Sequence, residues 1–362
     1  WLRWLAVVVP CLAYAGLTGR NLQAINRSSL HAFYRSRIAR TYVAVGNQPV
    51  AVAGPTRFLV SPLHATEDAS AQAVVKVTEL LDHDDVALPD YTPHLHGGPI
   101  HLINCCINQT VDDRTEAFNA DRKGICLTVG PFGVETGTRS AQTLPAGASE
   151  PLQGTTLAEW IAISGAAAGS GMGSMTRPGV AVLTFLSGLR LGYWWRKRLG
   201  KPSLSWSWLG KSRAALQEML VRFPGLQWPV WYLSDGGHFD NTGVYALLKR
   251  ELKLIVLADC GADPNYLFAD VENLIRKARI DYAAIIEFID PASLAPGTVE
   301  PALLARLGTP DSVMPGPGTQ SLLLARIRYH SGNTGALLVV KPRQPADSPL
   351  DTTRFIPSVP VT

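Results

Sequence analysis

Pro-Val-Trp-Tyr-Leu-Ser-Asp-Gly-Gly-His-Phe-Asp-Asn-Thr-Gly, residues 229–243, passes from an apolar run into a lone carboxylate, Asp235, and then into two glycines. The apolar run predicts a strand. Asp235 falls at its C-terminal end, where open α/β sheets carry their chemistry. Gly236 and Gly237 allow a sharp turn without a Cβ penalty, so the Asp235 side chain can face a cleft. Asp240, Asn241 or Thr242 can each cap a helix through residues 244–250. Residues 254–258 read as a buried strand ending at Asp259. Val271, Leu274, Ile275 and Ala278 share one helical face, and residues 283–289 form a third apolar run. Strand, helix, strand, helix, strand predicts an α/β fold: a mostly parallel sheet flanked by helices, with right-handed crossovers.

The stretch YLSDGGHFDNTGVYALLKRELKLIVLADCGADPNYLFADVENLIRKARID (232–281) closely resembles patatin-like phospholipases. The similarity is to the large bacterial members that carry transmembrane segments, distant relatives of the cytosolic phospholipases. NRSSLHAFYRSRIARTYV (26–43), GGPIHLINCCINQTVDDRTEAFNADRKG (97–124) and WIAISGAAAGSGMG (160–173) are similar too. The resemblance covers most of residues 21–343 and is most specific at Asp-Gly-Gly. It implies a patatin-like or cytosolic-phospholipase-like acyl hydrolase fold, incomplete at its N-terminus, and a serine acyl hydrolase working through a Ser–Asp dyad. In that family the serine sits in a Gly-x-Ser-x-Gly elbow after a Gly-rich oxyanion loop, and the acid sits in Asp-Gly-Gly or Asp-Gly-Ala. Residue by residue, the acid carries over onto Asp235, beside which Gly236, Gly237 and His238 are candidate substrate-binding residues. The implied substrate is a phospholipid or another lipid ester. Membrane association with a cytoplasmic catalytic part is implied, and neither a metal nor an organic cofactor is.

A chain of 362 residues, 46% hydrophobic and 17% charged, suits one large domain or two small ones with an apolar bias. The net charge of +4 is mild and does not point to nucleic acid. The five cysteines lack metal-ligand spacing, and adjacent Cys105 and Cys106 read as packed thiols in an apolar strand.

Residues 1–20 read as the end of a transmembrane or other hydrophobic helix, and residues 344–362 as a loose Pro- and Ser-rich tail. Between them, 21–343 reads as the C-terminal portion of an acyl hydrolase domain. Residues 24–45 predict one amphipathic helix with Leu30, Phe33, Tyr34 and Ile38 on its packed face. Residues 46–95 read as an irregular insertion. Its Asp82-His83-Asp84-Asp85 run is either a solvated acidic loop or a metal site. Residues 100–108 and 125–129 read as strands, and 131–153 as a long loop. The basic and aromatic stretch at 188–210 includes Tyr193-Trp194-Trp195-Arg196-Lys197-Arg198, then Lys201, Trp206, Trp208 and Lys211. It reads either as a membrane interface or as core tryptophans beside a basic turn.

An acyl hydrolase needs a nucleophile, a base and oxyanion donors. Ser164, in Ala162-Ile163-Ser164-Gly165-Ala166, is the one serine with elbow-like small neighbours. An elbow serine follows a strand, yet Leu157, Trp160, Ile161 and Ser164 fall at helical spacing, so a helix–loop junction is the competing reading. His96-Gly97-Gly98 precedes an apolar run, which suits a plain turn better than an oxyanion loop. Asp259 rivals Asp235, and Asp235 itself could simply cap the element that follows it.

Overall fold

A computed structural model describes residues 2–44, 83–111, 122–138, 152, 154–196, 204–316 and 318–343. The chain divides into two compact units, Trp1–Phe239 and Asp240–Thr362. The tail at 344–362 and most of the insertion at 46–95 lie outside the described residues.

In the first unit the helices are α1 (Leu2–Thr18), α2 (Gln23–Arg27), α3 (His31–Ile38), α4 (Leu157–Ser164), α5 (Pro178–Ser187) and α6 (Leu204–Met219). The strands are β1 (Ile103–Asn108), β2 (Gly124–Gly130), β3 (Gly133–Thr136), β4 (Tyr193–Arg196) and β5 (Val230–Asp235). They form one sheet in the order β3-β2-β1-β5-β4, with every neighbouring pair antiparallel.

Two-residue alternation gives this sheet two apolar faces. Ile103, Cys105, Ile107, Leu127, Val129, Trp195, Trp231 and Leu233 pack with Trp160 and Ile163 of α4 on one side. Trp194, Val230 and Tyr232 pack with Leu22, Ile25, Ala214 and Phe223 on the other. A strand sandwiched in this way must be apolar throughout, which is why residues 230–233 read as a continuous run.

The second unit holds α7 (Tyr245–Leu248), β6 (Leu254–Ala258), α8 (Ala269–Tyr282), β7 (Ile285–Phe288), β8 (Leu307–Gly308), β9 (Leu322–Arg328) and β10 (Thr334–Val340). Its sheet is mixed, in the order β6-β10-β9-β7, with β8 beside β9. Helix α8 buries Val271, Leu274 and Ala278 of the face read from spacing, while Ile275 is only half-buried.

The expected mostly parallel sheet flanked by helices is therefore corrected, and with it the patatin-like acyl hydrolase fold. β5 and β6 belong to different sheets. β6 and β7 do run in the same direction, because β10 is parallel to β6 and antiparallel to β9, and β9 is antiparallel to β7. They are not neighbours, because the β9–β10 hairpin lies between them. An apolar run signals a strand but carries no information about its direction or partner.

Smaller corrections follow from packing. The single helix expected over 24–45 is broken at Ser28, whose hydroxyl donates to the Ile25 carbonyl at 2.8 Å. It resumes as α3 and ends in a wider π turn at Ala39–Val43. Phe33 is 63% exposed, so the expected packed face is turned partly outward; His31 and Ala39 are buried instead. The loop expected at 131–153 contains β3, formed by a tight turn at Pro131 and Phe132. Tyr193, Trp194 and Trp195 are core residues, not membrane-facing ones. Trp195 lies 5.5 Å from Trp160 and 5.4 Å from Trp231 between ring centroids. Lys197, Arg198, Lys201 and the side chains of Trp206 and Trp208 lie outside the described residues. In β6, Leu254 and Val256 are exposed while Ile255 and Leu257 are buried, so this strand is covered on one face only.

Candidate functional site

Asp235 ends β5 and lies directly across from Cys105 of β1 in the ladder, on the sheet face that α4 covers. The turn behind it, Gly236–His238, is a single 3₁₀ turn. The Gly237 N–H donates to Asp235 Oδ1 at 2.7 Å, so the carboxylate caps that turn. The competing capping role is thus real, and it occupies one oxygen. No hydrogen bond to Oδ2 exists among the described residues. A Cβ at Gly236 would lie 2.5 Å from the Asn104 carbonyl oxygen, a backbone atom that cannot swing away. Gly236→Ala is expected to cost about 1–3 kcal/mol, through overpacking, and to displace Asp235. A urea midpoint equal to that of the parent chain would refute this.

The turn is held from behind by a buried polar chain. Asn108 Nδ2 donates to Ser234 Oγ at 2.9 Å, and Ser234 Oγ–H donates to His238 Nδ1, also at 2.9 Å. Nε2–H of His238 then faces the Ala167 carbonyl at 3.2 Å. Asn108 Oδ1 accepts from the Gly173 N–H at 2.9 Å. The Ala167 carbonyl can only accept, so Nε2 carries the proton and Nδ1 accepts from the Ser234 hydroxyl. His238 is buried, and both ring nitrogens are engaged. It holds the turn in place, and its ring offers no free nitrogen to a substrate.

Ser164 is the last residue of α4, at the helix–loop junction. Its hydroxyl donates to the Asn104 carbonyl at 2.7 Å, the same oxygen against which Gly236 packs. Ser164 and the Asp235 turn thus meet on Asn104, but no hydrogen bond joins the serine to the carboxylate among the described residues. The Asp235 N–H donates to the Ala166 carbonyl at 3.2 Å, which ties the α4 exit to β5.

Tyr34 of α3 completes the corner and was not singled out as a site residue in the sequence. A Cβ at Gly165 would lie 2.5 Å from the Tyr34 hydroxyl, so glycine there makes room for the phenol. Burial raises the Tyr34 pKa, and the negative charge of Asp235 raises it further. Burial is also the main influence on Asp235, lifting its carboxyl above the usual aspartate value; the Gly237 N–H and His238 oppose this. His238 is shifted down by its own burial. Carboxyl and imidazole are both pushed toward their neutral forms, as expected of groups drawn out of water. Cys105 is fully enclosed, and burial, then Cys126 and Asp235, keep its thiol protonated.

No family model, curated protein or solved structure matches the chain. The functional reading therefore rests on its own residues.

Other candidates are engaged elsewhere. In the second unit, Asp259 accepts from Lys341 Nζ at 2.9 Å, and Lys341 also reaches Asp263 at 3.1 Å. That buried ion pair neutralises the rival carboxylate. Within the acidic run, Asp84 pairs with Arg40 and Asp85 with Arg35, each at 3.1 Å. Asp85 Oδ1 also accepts from the Ala158 N–H at the start of α4. Asp82 lies outside the described residues. His96-Gly97-Gly98 forms a left-handed turn at Gly97, ahead of β1. A shallow cavity of about 290 Å³, counted to its open mouth, is lined by Leu88, Tyr91, His94 and His101, and does not include Asp235.

Proposed function

We propose that this chain belongs to a lipid acyl hydrolase and supplies Asp235 as the general base of a Ser–Asp dyad. The supporting observation is a half-buried carboxylate at a strand end, one oxygen held by Gly237 N–H and the other without a partner among the described residues, with its basicity raised by burial. Such a group takes a serine proton more readily than a solvated aspartate does. The serine oxygen attacks the ester carbonyl, the alcohol leaves with the proton from Asp235, and water releases the acyl group by the same steps in reverse order. Glycerophospholipid or lysophospholipid esters at a membrane are the proposed substrates. Ser164 shares its proton with Asn104, which favours a nucleophile other than Ser164. A second reading, a non-catalytic lipid-binding or structural domain, is favoured by that same engagement.

The test is hydrolysis of a soluble short-chain ester, using the chain expressed with any sequence that precedes Trp1. The base must be ionised, so kcat/KM should fall as pH drops through the Asp235 pKa, with a midpoint above the usual aspartate value of ~3.8. Stability should move the opposite way. A carboxyl whose pKa is raised by folding contributes most below its unfolded pKa, and that contribution is lost as pH rises through the folded value. An acid limb at or below the ordinary aspartate range would count against Asp235 as the base. Absence of any ester turnover would leave the binding-domain reading.

A further inference from the structure

The first unit carries an apolar surface that its own fold leaves uncovered. Every residue of α1 from Arg3 to Tyr14 is exposed, including Trp4, Val8 and Leu12. α5 buries only Ala181. Leu183 and Leu186 on it are 70% and 71% exposed, and Leu189 just beyond it is 57% exposed. α1 and α5 both pack on α6, which itself exposes Leu209 and Leu216. Lys211 of α6 fastens the end of α1: its N–H donates to the Gly19 carbonyl at 2.9 Å, and its ammonium lies 4.6 Å from the Tyr14 ring centroid.

The charge pattern names the occupant. Residues 1–30 contain three arginines, Arg3, Arg20 and Arg27, all exposed, and no acidic residue. Residues 160–217, which carry α5 and most of α6, contain eight lysines and arginines and no acidic residue. The single acid of α6, Glu218, is fully buried on Arg190. A second protein copy would cover one face of a helix. A helix apolar all round over its exposed length finds a matching solvent in hydrocarbon. Exposed leucines on helices that carry Arg3, Lys211 and Arg213, with Arg177 at the start of α5 and no exposed acid, fit the interface of an anionic bilayer. No helix among the described residues is long and apolar enough to cross a membrane, and interfacial insertion does not require one to be.

We infer that α1, α5 and α6 form a docking surface for anionic lipid bilayers, with the exposed leucines of α5 inserted in the interface. The inference deepens the proposed lipid-directed function, on which it rests, by naming the surface and the lipid charge.

The experiment is co-sedimentation with vesicles of phosphatidylcholine alone, or with about one-third phosphatidylglycerol, at low and high salt. Anionic vesicles should bind at least about tenfold more tightly, and salt should reduce that margin. The double variant Leu183→Ser/Leu186→Ser should lose about tenfold in binding, and Arg177→Gln should weaken binding to anionic vesicles alone. Both changes are at exposed positions, and unchanged turnover of a soluble ester or unchanged circular dichroism verifies folding. Ile280→Ser, an equally exposed apolar site in the second unit, should bind as the parent does. Equal binding to neutral and anionic vesicles would overturn the inference. So would a double variant that binds normally, or a dimer that the double variant abolishes with no vesicle binding by the parent. Asp235→Asn should bind vesicles normally, so full hydrolysis by that variant, or no hydrolysis by the parent, with docking retained removes only the enzyme assignment.

Discussion

Asp235→Asn is expected to lower kcat/KM for a short-chain ester by about 10²–10⁴-fold, the usual contribution of a positioned general base. Asparagine keeps the Oδ1 acceptor for Gly237 N–H, so the turn and its cap survive. What disappears is a carboxylate whose charge is penalised by burial. The variant should therefore be at least as stable as the parent at neutral pH, and less active. That opposite movement separates a lost base from a damaged fold. Ser164→Ala, by contrast, removes one hydrogen bond to Asn104 and should leave turnover within about a few-fold of the parent, at a stability cost of about 1 kcal/mol. Loss of turnover in a folded Ser164→Ala chain would make Ser164 the nucleophile. Full activity in Asp235→Asn would end the dyad assignment altogether.

The largest stability effect is expected at Glu218. Its carboxylate lies 2.8 Å from Arg190 Nε, with both side chains essentially inaccessible. It also accepts from Trp194 Nε1 at 2.8 Å and Ser170 Oγ at 3.0 Å. Arg190 in turn donates to the Ile25 carbonyl at 2.8 Å and lies 4.6 Å from the Phe185 ring centroid. The pair thereby joins α2, α5, α6 and the sheet. Glu218→Ala leaves a buried guanidinium without its counter-charge and should cost about 3–5 kcal/mol. Replacing both partners with methionine should cost less than the single change, because no charge is then stranded. Denaturant titration of the two single variants and the double variant measures this. A Glu218→Ala loss under about 1 kcal/mol would show the pair to be hydrated and unimportant.

The parts of this molecule visible in its sequence are those set by local pattern. The strand ending at Asp235, the glycine turn, β1, β2 and the buried face of α8 all follow from periodicity and turn chemistry over a few residues. Sheet membership depends on partners far along the chain, so the local pattern of β5 and β6 suits one sheet although they belong to two. A usable signal did exist for β9 and β10: two apolar runs flank Ser331-Gly332-Asn333, a hairpin pattern. Tyr34 reaches the site only through tertiary packing over Gly165, and nothing in its neighbourhood along the chain marks it. The tryptophans of β4 resemble an interfacial belt because composition does not distinguish a doubly covered strand from a lipid-facing one. The exposed leucines of α5 give no signal in the sequence for the converse reason: an apolar helix reads the same whether buried or on a surface.

The placement of β9 and β10 between β6 and β7 has a consequence during synthesis. β6 and β7 leave the ribosome first, with no pairing partner for either. At roughly 5–20 residues per second, they wait on the order of seconds for Leu322 to be made. Over that interval the backbone of β6 is unpaired on both edges and Leu254 and Val256 are exposed on one face, a template for association with other nascent chains. The hairpin itself closes on the order of 1–10 μs once made, so elongation sets the delay. A premature stop before Leu322 would make that waiting state permanent and remove the two strands that hold the second sheet together.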